Sequence, residues 1–455
     1  MDEDTQRIHF VGIAGTGMSA LAQHRALGGL PTSGSDRALD EGAIDDERGR
    51  LSAIGVTLHP QDGSGVAGAA QVVASTAIEA AIPDLAEARD LGIPIVHRAD
   101  VLAGLLGAGP SVAIAGTSGK STVTGMAFTI LDEAGRDPGL VTGGDLISLR
   151  ARGLRGNAWR GAGPLVAEAD ESDGTLIKHS PLVGVVLNLH RDHMEPERVM
   201  EQFRTFTRQT RQRAVVADDS ELAPLRDGAL TFGFGPDAEI RGTDLTADGP
   251  GSQFSVGGTT VRVPLPGAHN ASNALAAIAV GLTMDVDVAS AARAIEGFRG
   301  VARRFEVVGE RGGVTVVDDF AHNPTKIAAT LRAARSRSDR VLAVFQPHGF
   351  APARFMREEL GQTVPAVLGP DDRIWISEIH YAGGTASRDI SSRDLADDLR
   401  AAGVDATYLA DRDAWPQLVS DLARPGDLVL IMGARDPGLA ELARRVVHCL
   451  PATGS

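Results

Sequence analysis

The chain has 455 residues, of which 43% are hydrophobic and 23% charged, and its formal net charge at pH 7 is −15. This composition is typical of a globular protein and excludes a disordered chain, and no apolar run is long enough to span a membrane. The negative charge argues against a nucleic-acid-binding surface, which needs a surplus of Lys and Arg on one face. The length predicts about three domains.

The first residues lack a basic region ahead of an apolar stretch, so no signal peptide is expected. Cys449 is the single cysteine. One cysteine excludes an internal disulfide framework and fits a reducing compartment. We therefore expect a cytoplasmic protein.

A buried strand is predicted over 8–13, followed by a glycine turn that opens a helix. The turn, GIAGTGMSALA, is similar to a dinucleotide-binding turn, but Ala14 stands where the strict G-x-G-x-x-G pattern has its middle glycine. Close packing of a strand against a helix would also favour small residues here. The next strand ends at Ser35 and Asp36, which could accept from a ribose or base or could cap a helix.

Strand and helix signals continue to alternate up to residue 110, which predicts a parallel sheet. Strand patterns occur at VTLHP, QVVASTAI and IPIVH, and a helix is predicted over 83–91. Ser75 and Thr76 come at a strand end, on the edge where such sheets bind ligands. The stretch LGAGP, residues 106–110, is the predicted domain boundary.

The most informative stretch is SVAIAGTSGKST, residues 111–122, which reads as a short apolar strand, a glycine turn and the start of a helix. Such a turn aims unpaired backbone N–H groups and the positive end of a helix dipole at one point, as a phosphate site requires. Lys120 adds a mobile positive charge, and Ser121 offers an oxygen to Mg²⁺. The general phosphate-loop pattern has another glycine where Ile114 stands, whereas the shorter G-T-x-G-K-S/T form fits throughout. The alternative is an ordinary turn with an exposed Lys and Ser.

Two further apolar strands, in LVAEADESD and VGVVLNLHRDHMEP, run into polar residues. The residues that follow these strands are Glu168, Asp170, Glu171 and Asp173, and then His190, Asp192 and His193. An acidic run is commonly a solvated loop, and a single histidine is commonly a structural hydrogen-bonding group. Beside a phosphate turn, however, Glu168, Ser121 and His193 could hold Mg²⁺ between ATP and a second substrate.

The last third, residues 313–455, predicts another open parallel sheet, with strands in GVTVVDD, RVLAVFQP, RIWISEI, ATYLA and DLVLIMG. Ligands are expected at the carboxyl edge of such a sheet. The polar residues at its strand ends are His322, Asn323, His348, Arg354, Glu378 and Arg435.

Together these motifs resemble those of the Mur ligase family. The resemblance runs nearly end to end, through HFVGIAGTGMSALA, SGSD, VVASTAI, VHRADVLAGLL, AGTSGKST, EADESD, LNLHRDHME, LPGAHNASNALAAIAV, RRFE, VVDDFAHNPTKIAATL and VFQPHGF. It implies an α/β fold of three domains. These would be a Rossmann-like UDP-sugar-binding domain over 1–107, a central P-loop mononucleotide-binding ATPase domain over 108–299, and a C-terminal Rossmann-like open-sheet domain over 300–455 that binds the amino acid.

The resemblance also implies a reaction, in which ATP phosphorylates a carboxylate and an amine attacks the acyl phosphate. Within the family the chain is most similar to the branch that joins UDP-N-acetylmuramate to L-alanine for peptidoglycan synthesis. The implied cofactors are ATP and Mg²⁺, and the implied partners are such a sugar nucleotide and an amino acid, with no nucleic acid and no membrane. Alternatives are a ligase with another acceptor, such as a recycled peptide, a ligase of another pathway, and a nucleotide-binding regulatory protein without catalysis.

The resemblance assigns residues to sites by motif. The catalytic residues would be Lys120, Glu168 and His193, with Ser121 and Glu168 on one Mg²⁺ and His193 on a second. The ATP-binding residues would be Gly116, Thr117, Ser118, Gly119, Lys120, Ser121, Thr122, Asn270, Asn273, Arg303, Arg304 and Asp319. The sugar nucleotide would contact Gly12, Gly15, Gly17, Met18, Ser19, Ser35, Asp36, Ser75 and Thr76. The amino acid would contact His322, Asn323, His348, Arg354 and Arg435. Asn270 and Asn273 could alternatively cap a helix.

The chain departs from the family pattern at the expected amino-acid site. The alanine-adding ligases usually follow QPH with arginines that grip the amino-acid carboxylate, whereas this chain has Gly349 and Pro352 in those places. We expect Arg354 or Arg435 to take over that contact. GTSGKS replaces the usual GTHGKT and keeps every phosphate-binding group, and HNP replaces the commoner HHP. These changes concern the acceptor and leave the predicted ATPase intact.

Overall fold

The computed structural model of the protein describes residues 6–42, 44–76, 78–79, 81–190, 194–248, 251–381, 387–436 and 438–451. The chain forms two compact units, residues 1–301 and residues 302–455. Two sheets lie in the first unit and one in the second. These three sheets, each built mainly of parallel strands joined by helices, confirm the expected α/β architecture of three domains.

The first sheet has a Rossmann topology. Its strands are β1 (Ile8–Val11), β2 (Thr32–Ser35), β3 (Thr57–His59), β4 (Gln71–Ala74) and β5 (Ile95–His97). Its helices are α1 (Thr16–Leu27), α2 (Arg37–Asp40), α3 (Asp45–Ala53), α4 (Pro83–Asp90) and α5 (Arg98–Ala108). The strand order is β3-β2-β1-β4-β5, and all pairings are parallel. The turn between β1 and α1 therefore lies at the point where strand order reverses, which is the usual ligand site of this topology.

The second sheet is larger and mixed. Its strands are β6 (Ser111–Ala115), β7 (Gly139–Val141), β8 (Ala158–Trp159), β9 (Leu165–Glu168), β10 (Val183–Val186), β11 (Arg213–Ala217), β12 (Leu230–Gly233), β13 (Ile240–Asp248), β14 (Gly251–Val256) and β15 (Thr259–Val263). Its helices are α6 (Lys120–Glu133), α7 (Ile147–Arg150), α8 (Pro196–Gln209), α9 (Ala268–Thr283) and α10 (Val288–Glu296). The order is β15-β14-β13-β12-β11-β10-β6-β9-β7-β8. Each neighbouring pair in the run β13-β12-β11-β10-β6-β9-β7 is parallel. The strands β8, β14 and β15 are antiparallel additions, which the sequence patterns did not reveal.

One hydrophobic core is shared by the first two sheets. Phe10 and Leu21 of the first sheet's elements belong to the same cluster of buried side chains as Ala113 and Leu165 of the second. Burying a large apolar side chain contributes about 1.5–3 kcal/mol. The shared cluster therefore explains why residues 1–301 form one compact unit.

The third sheet, in the second unit, is parallel apart from its first strand. Its strands are β16 (Glu306–Arg311), β17 (Val314–Asp319), β18 (Arg340–Gln346), β19 (Arg373–Ser377), β20 (Ala406–Leu409) and β21 (Asp427–Gly433). Its helices are α11 (Pro324–Arg335), α12 (Phe350–Thr363), α13 (Ser392–Ala401), α14 (Trp415–Leu422) and α15 (Gly438–Cys449). The order is β16-β17-β21-β18-β19-β20. The loops after β17, β21, β18 and β19 therefore leave the same edge of the sheet.

Among the residues that the structure describes, no helix combines the length and the apolar character needed to cross a bilayer.

Candidate active site

The phosphate turn, residues 116–119, joins β6 to α6. Gly116 has φ +140° and Gly119 has φ +84°, a region in which side chains other than glycine are strained. A Cβ on Gly119 would lie 2.5 Å from Oδ1 of Asn273, so only glycine permits this close approach. The first N–H groups of α6, which begins at Lys120, have no partner inside the helix and face the turn.

Asn188, just beyond β10, holds the phosphate turn in shape. Its Oδ1 accepts from the Thr117 hydroxyl at 2.9 Å and from the Ser118 N–H at 2.9 Å, and its Nδ2 donates to the Ser118 carbonyl at 3.0 Å. Asn188 was not predicted from the sequence as a site residue. An amide at the end of an apolar strand, just ahead of His190, was the available signal.

Lys120 is held by two carboxylates. Its Nζ donates to the Gly116 carbonyl at 2.8 Å and to Glu171 Oε2 at 2.8 Å, and lies 3.5 Å from Asp170 Oδ1. Burial lowers the pKa of Lys120, but the neighbouring carboxylates outweigh it and raise the pKa above its ordinary value. Burial also raises the pKa of Glu171, an effect that the Lys120 ammonium opposes. The lysine is therefore fully charged at the phosphate turn.

Glu168 lies at the end of β9, where three donors surround one of its oxygens. Its Oε2 accepts from the hydroxyl of Ser121, the hydroxyl of Thr142 and the N–H of Gly143, each at 2.9 Å. Thr142 and Gly143 follow β7 and were not anticipated from the sequence. The contacts join the metal-binding pair predicted from the sequence, Ser121 and Glu168.

A carboxylate and a hydroxyl are oxygen ligands of the kind that Mg²⁺ prefers beside nucleotide phosphates, so Glu168 and Ser121 fit such an ion. Within the described part of the chain, no group of three or more His, Cys, Asp or Glu side chains is arranged to hold a metal ion. The third predicted ligand, His193, lies outside the described residues, and so does Asp192. Mg²⁺ commonly takes only one or two protein carboxylates and completes its shell with water and phosphate oxygens.

The remaining acid of the run, Asp173, pairs with Arg98 of α5 at 3.1 Å. Arg98 also lies against Gly17, where an added Cβ would be 2.4 Å from its Nη1. Glu171 is buried, and Asp170 and Asp173 are partly buried. The acidic run is therefore packed and ion-paired in the structure.

Asn270 and Asn273 lie in the first turns of α9, and both are buried. Asn270 Nδ2 donates to the Pro266 carbonyl at 2.7 Å, and Asn273 Nδ2 donates to Asn270 Oδ1 at 3.1 Å. Neither is the N-cap, which is Gly267. Asn273 thus reaches the phosphate turn at Gly119, as an ATP-binding amide would.

The first glycine turn, residues 12–17, closes with a hydrogen bond from the Gly15 N–H to the Gly12 carbonyl at 3.1 Å. Gly12 has φ +72°, and Gly15 is the N-cap of α1. Asp36 accepts from the Ala14 N–H at 3.0 Å and caps α2 through the Ala38 N–H at 2.9 Å. Burial raises the pKa of Asp36, and these two hydrogen bonds oppose the shift.

The other predicted sugar-nucleotide residues differ in exposure. Met18, Ser19 and Ser35 are buried, whereas Ser75 is partly exposed and Thr76 is exposed. The Ser35 hydroxyl donates to Asp84, and the Ser19 hydroxyl donates to Glu47 at 3.2 Å. Ser19 and Ser35 therefore have partners inside the protein.

In the second unit, the RRFE stretch forms a strained turn. Arg303 and Phe305 have φ +59° and +51°, which is costly for residues with side chains. Arg303 donates to Asp318 at 3.1 Å and to the carbonyls of Ala434 and Gly433 at 3.1 and 2.7 Å. Burial raises the pKa of Asp318 to about 6, although the Arg303 guanidinium opposes it. Arg303 is thus engaged within its own unit.

Arg304 and Asp319 remain close to each other beside this turn. The Arg304 guanidinium lies 5.0 Å from the centre of the Phe320 ring, and its charge partly offsets the raised pKa that burial gives Asp319. Asp319 accepts from the N–H groups of Phe305 and Ala321, both at 2.7 Å, and from the Thr330 hydroxyl at 3.1 Å. A ribose would have to share a carboxylate that already has three donors.

His322 and His348, at the carboxyl ends of β17 and β18, face each other with ring centres 5.4 Å apart. Asn323 caps α11 by accepting from the Lys326 N–H at 2.9 Å. These predicted amino-acid residues therefore lie at the same sheet edge.

The two arginines predicted at the acceptor site differ in their surroundings. Arg354 is exposed and pairs with Asp389. The hydrogen bond from Arg354 holds the pKa of the Asp389 carboxyl below its ordinary value. Arg435 is exposed and has no hydrogen bond or ion pair among the residues described. Next to it, the buried Asp436 pairs with Arg412 and lies 3.6 Å from His380. Asp436, Arg412 and His380 were not predicted from the sequence, because their strands and loops are far apart in the chain.

Three family models match consecutive parts of the chain. They are described as "Mur ligase family, catalytic domain" over residues 7–109, "Mur ligase middle domain" over 114–281, and "Mur ligase, glutamate ligase domain" over 303–435. Two curated relatives are named UDP-N-acetylmuramate–L-alanine ligase. The one from Streptomyces avermitilis is 38% identical over 98% of this chain and 97% of its own length. The one from Synechococcus elongatus is 36% identical over 95% of each.

A solved structure with the same architecture is the UDP-N-acetylmuramate-alanine ligase of Thermotoga maritima. It matches with a TM-score of 0.81 and 26% identity, over 97% of this chain and 98% of that one. The similarity therefore covers all three sheets.

Proposed function

Since the chain belongs to the Mur ligase family, we propose that it is an ATP-dependent ligase that joins the carboxylate of UDP-N-acetylmuramate to L-alanine in peptidoglycan precursor synthesis. The observation that carries the proposal is the phosphate turn, next to which lie a charged Lys120 and the hydrogen-bonded pair Ser121 and Glu168. Relatives of that name along nearly the whole chain support the choice of substrates. The single cysteine and the use of ATP favour a reaction in the cytoplasm.

The chemistry requires cations at the turn. A carboxylate is a poor acyl donor until phosphorylation gives it a leaving group, and it repels the γ-phosphate that it must attack. Lys120 is placed to neutralise charge on the transferring phosphoryl group. Mg²⁺ held by Ser121 and Glu168 would supply a second positive charge, and His193 is the residue predicted from the sequence to hold a second Mg²⁺.

For ATP, the buried Asn273 and Asn270 offer amide groups beside the phosphate turn. Arg304 is the better candidate for a phosphate contact than Arg303, because Arg303 already binds Asp318 and two backbone carbonyls. Asp319 remains the proposed ribose contact.

A second candidate function is a ligase with a different acceptor. It is favoured by Gly349 and Pro352, which stand where the family usually has arginines, and by the pairing of Arg354 with Asp389. Arg435 is then the proposed partner of an acceptor carboxylate, since it has no ion pair among the described residues and a carboxylate that leaves water needs a charged partner.

Phosphate release from ATP, measured with UDP-N-acetylmuramate and each amino acid in turn, tests both candidates. We expect release to depend on the sugar nucleotide, on Mg²⁺ and on L-alanine, with loss of activity when the metal is chelated. Turnover with another amino acid or with a short peptide only would support the second candidate. No turnover with any amine, despite tight ATP binding, would contradict the proposal and favour a regulatory role.

A further inference from the structure

We infer that Arg155 and Asn157, on the segment between α7 and β8 of the second sheet, are positioning residues of the sugar-nucleotide site. They bind the first glycine turn, residues 12–17, which belongs to the first sheet. That this site binds a sugar nucleotide rests on the proposed function, whereas the contacts of Arg155 and Asn157 with the turn do not depend on it. None of the motifs quoted for the family resemblance contains either residue.

Arg155 binds the turn through a backbone carbonyl. Its Nη1 donates to the Ala14 carbonyl at 2.9 Å and to Glu47 Oε1 at 2.7 Å. The side chain of Arg155 is only 12% exposed, and that of Glu47 10%. Glu47 in turn accepts from the hydroxyl of Ser19 in α1. A buried, charge-assisted contact of this kind is stronger than a surface ion pair.

Asn157 binds the same turn two residues further on. Its Nδ2 donates to the Thr16 carbonyl at 3.0 Å, and its Oδ1 accepts from Gln23 Nε2 at 2.8 Å. Asn157 is fully buried. One short segment of the second sheet's domain therefore binds two alternate carbonyls of the turn.

These contacts orient the turn for a diphosphate. Carbonyl oxygens that faced the ligand would repel it, whereas N–H groups at a helix N-terminus attract it. Arg155 draws the carbonyl of Ala14, just before α1, toward itself, and Asn157 fixes Thr16, the first residue of the helix, so that the first N–H groups of α1 stay available for the ligand. Ala14 replaces the middle glycine of the usual pattern, so a fixed carbonyl direction matters more at this turn.

The same guanidinium also reaches the loop that holds Glu168. Arg155 Nε lies 3.6 Å from Asp145 Oδ1, and Asp145 follows Gly143, whose N–H binds Glu168. The turn for the sugar nucleotide and the loop at the proposed Mg²⁺ site thus share one buried cation. Displacing it is expected to disturb the sugar-nucleotide turn first, since two direct hydrogen bonds lie on that side.

The test compares Arg155→Gln and Arg155→Lys with a matched control, Arg160→Gln. Arg160, directly after β8, extends to His24 of α1 at 3.4 Å instead of to the turn. We expect Arg155→Gln to raise the KM for UDP-N-acetylmuramate about tenfold or more, the scale of one lost charge-assisted hydrogen bond, with the KM for ATP changed less than about twofold. Arg155→Lys should recover part of the loss, because it keeps the charge opposite Glu47. Arg160→Gln should leave both KM values unchanged.

A double variant separates positioning from simple destabilisation. Arg155→Gln leaves the buried Glu47 with only the more distant Arg50, 3.9 Å away and 39% exposed, as a cationic partner, which lowers stability. Adding Glu47→Gln removes that buried charge and should raise the melting temperature again, while the KM for the sugar nucleotide stays high because the Ala14 carbonyl still lacks its donor. Recovery of both quantities together would overturn the inference and show a structural role only.

Direct titration of the full-length protein with UDP-N-acetylmuramate provides the remaining distinction. If the wild type binds the sugar nucleotide and Arg155→Gln binds it equally well, the inference is wrong although the proposed function stands. If the wild type does not bind it at all, the proposed function itself fails.

Discussion

Lys120 shows how one side chain is prepared for phosphoryl transfer before a nucleotide is bound. Its ammonium lies 2.8 Å from both the Gly116 carbonyl and Glu171. These contacts hold the charge at the phosphate turn and satisfy it in a site that is poorly solvated. An incoming phosphate can compete for the same ammonium, because the hydrogen-bonding geometry of Lys is not forked and its three donors rotate freely.

Replacement of Lys120 by alanine is predicted to lower kcat by about 100-fold or more, because the lysine neutralises charge that grows during phosphoryl transfer. Initial rates of phosphate release with saturating ATP, sugar nucleotide and L-alanine provide the measurement. Lys178→Ala is the control, since Lys178 pairs with Asp100 at the surface and is 42% exposed. Near-normal turnover of Lys120→Ala, with circular dichroism like that of the wild type, would refute the phosphate-turn assignment.

At the scale of an element, α6 connects the proposed ATP site to the core. It begins directly after Gly119 and buries Met126 and Ile130 against the second sheet's core. A glycine with positive φ flanks it at each end, Gly119 at +84° and Gly135 at +70°. The two glycines share a backbone conformation but have different surroundings.

This pair gives a matched prediction for the helix. Gly119→Ala and Gly135→Ala should each cost about 1–2 kcal/mol in free energy of unfolding, because alanine is strained at positive φ. Only Gly119→Ala should also raise the KM for ATP, since its Cβ would lie 2.5 Å from Asn273 Oδ1 whereas nothing lies within 4 Å of a Cβ at Gly135. Urea unfolding and ATP-dependent rates measure the two effects. Equal changes in KM for both variants would show that strain alone is responsible.

At the scale of the molecule, three histidines are buried among the described residues of the compact unit over 1–301. Burial is the main cause that lowers the pKa of His9, His24 and His179 to about 4 from 6.5. The unfolded chain therefore takes up these protons near pH 6.5, whereas the folded chain does so only near pH 4. The contribution of these histidines to the free energy of unfolding is present above pH 6.5 and is lost as the pH falls from 6.5 toward 4.

Comparison of His24→Gln with the wild type isolates the contribution of one histidine to the pH dependence of the free energy of unfolding. Buried carboxyls with raised pKa values, such as Asp84 and Asp145, act with the opposite sign and would obscure the trend in the wild type alone. Between pH 7 and pH 5, the wild type should lose about 1–2 kcal/mol more free energy of unfolding than His24→Gln, the amount that linkage gives one depressed histidine. Urea titrations at both pH values test this, and equal losses in the two proteins would mean that His24 is not held neutral.

The α/β class and the phosphate turn could be predicted from the amino-acid sequence alone. All the parts of that turn lie within residues 111–122, so local pattern and backbone chemistry suffice to identify them. The same holds for the first glycine turn and for the buried strands, whose apolar runs are continuous. The ends of elements were predicted less well. The strand pattern continued to residue 13, whereas β1 ends at Val11. The helix after the phosphate turn, α6, begins at Lys120.

The residues that surround those turns could be identified only from the folded chain. Asn188 binds Thr117 across 71 positions of sequence, and Arg155 binds the Ala14 carbonyl across 141. Pairs so distant meet only after the parallel strands have set the order of their loops, and no local pattern encodes which loops become neighbours. Arg354 gives the clearest case. Its sequence neighbourhood made it a candidate for a substrate carboxylate, whereas the fold pairs it with Asp389, because an exposed guanidinium binds the nearest available carboxylate.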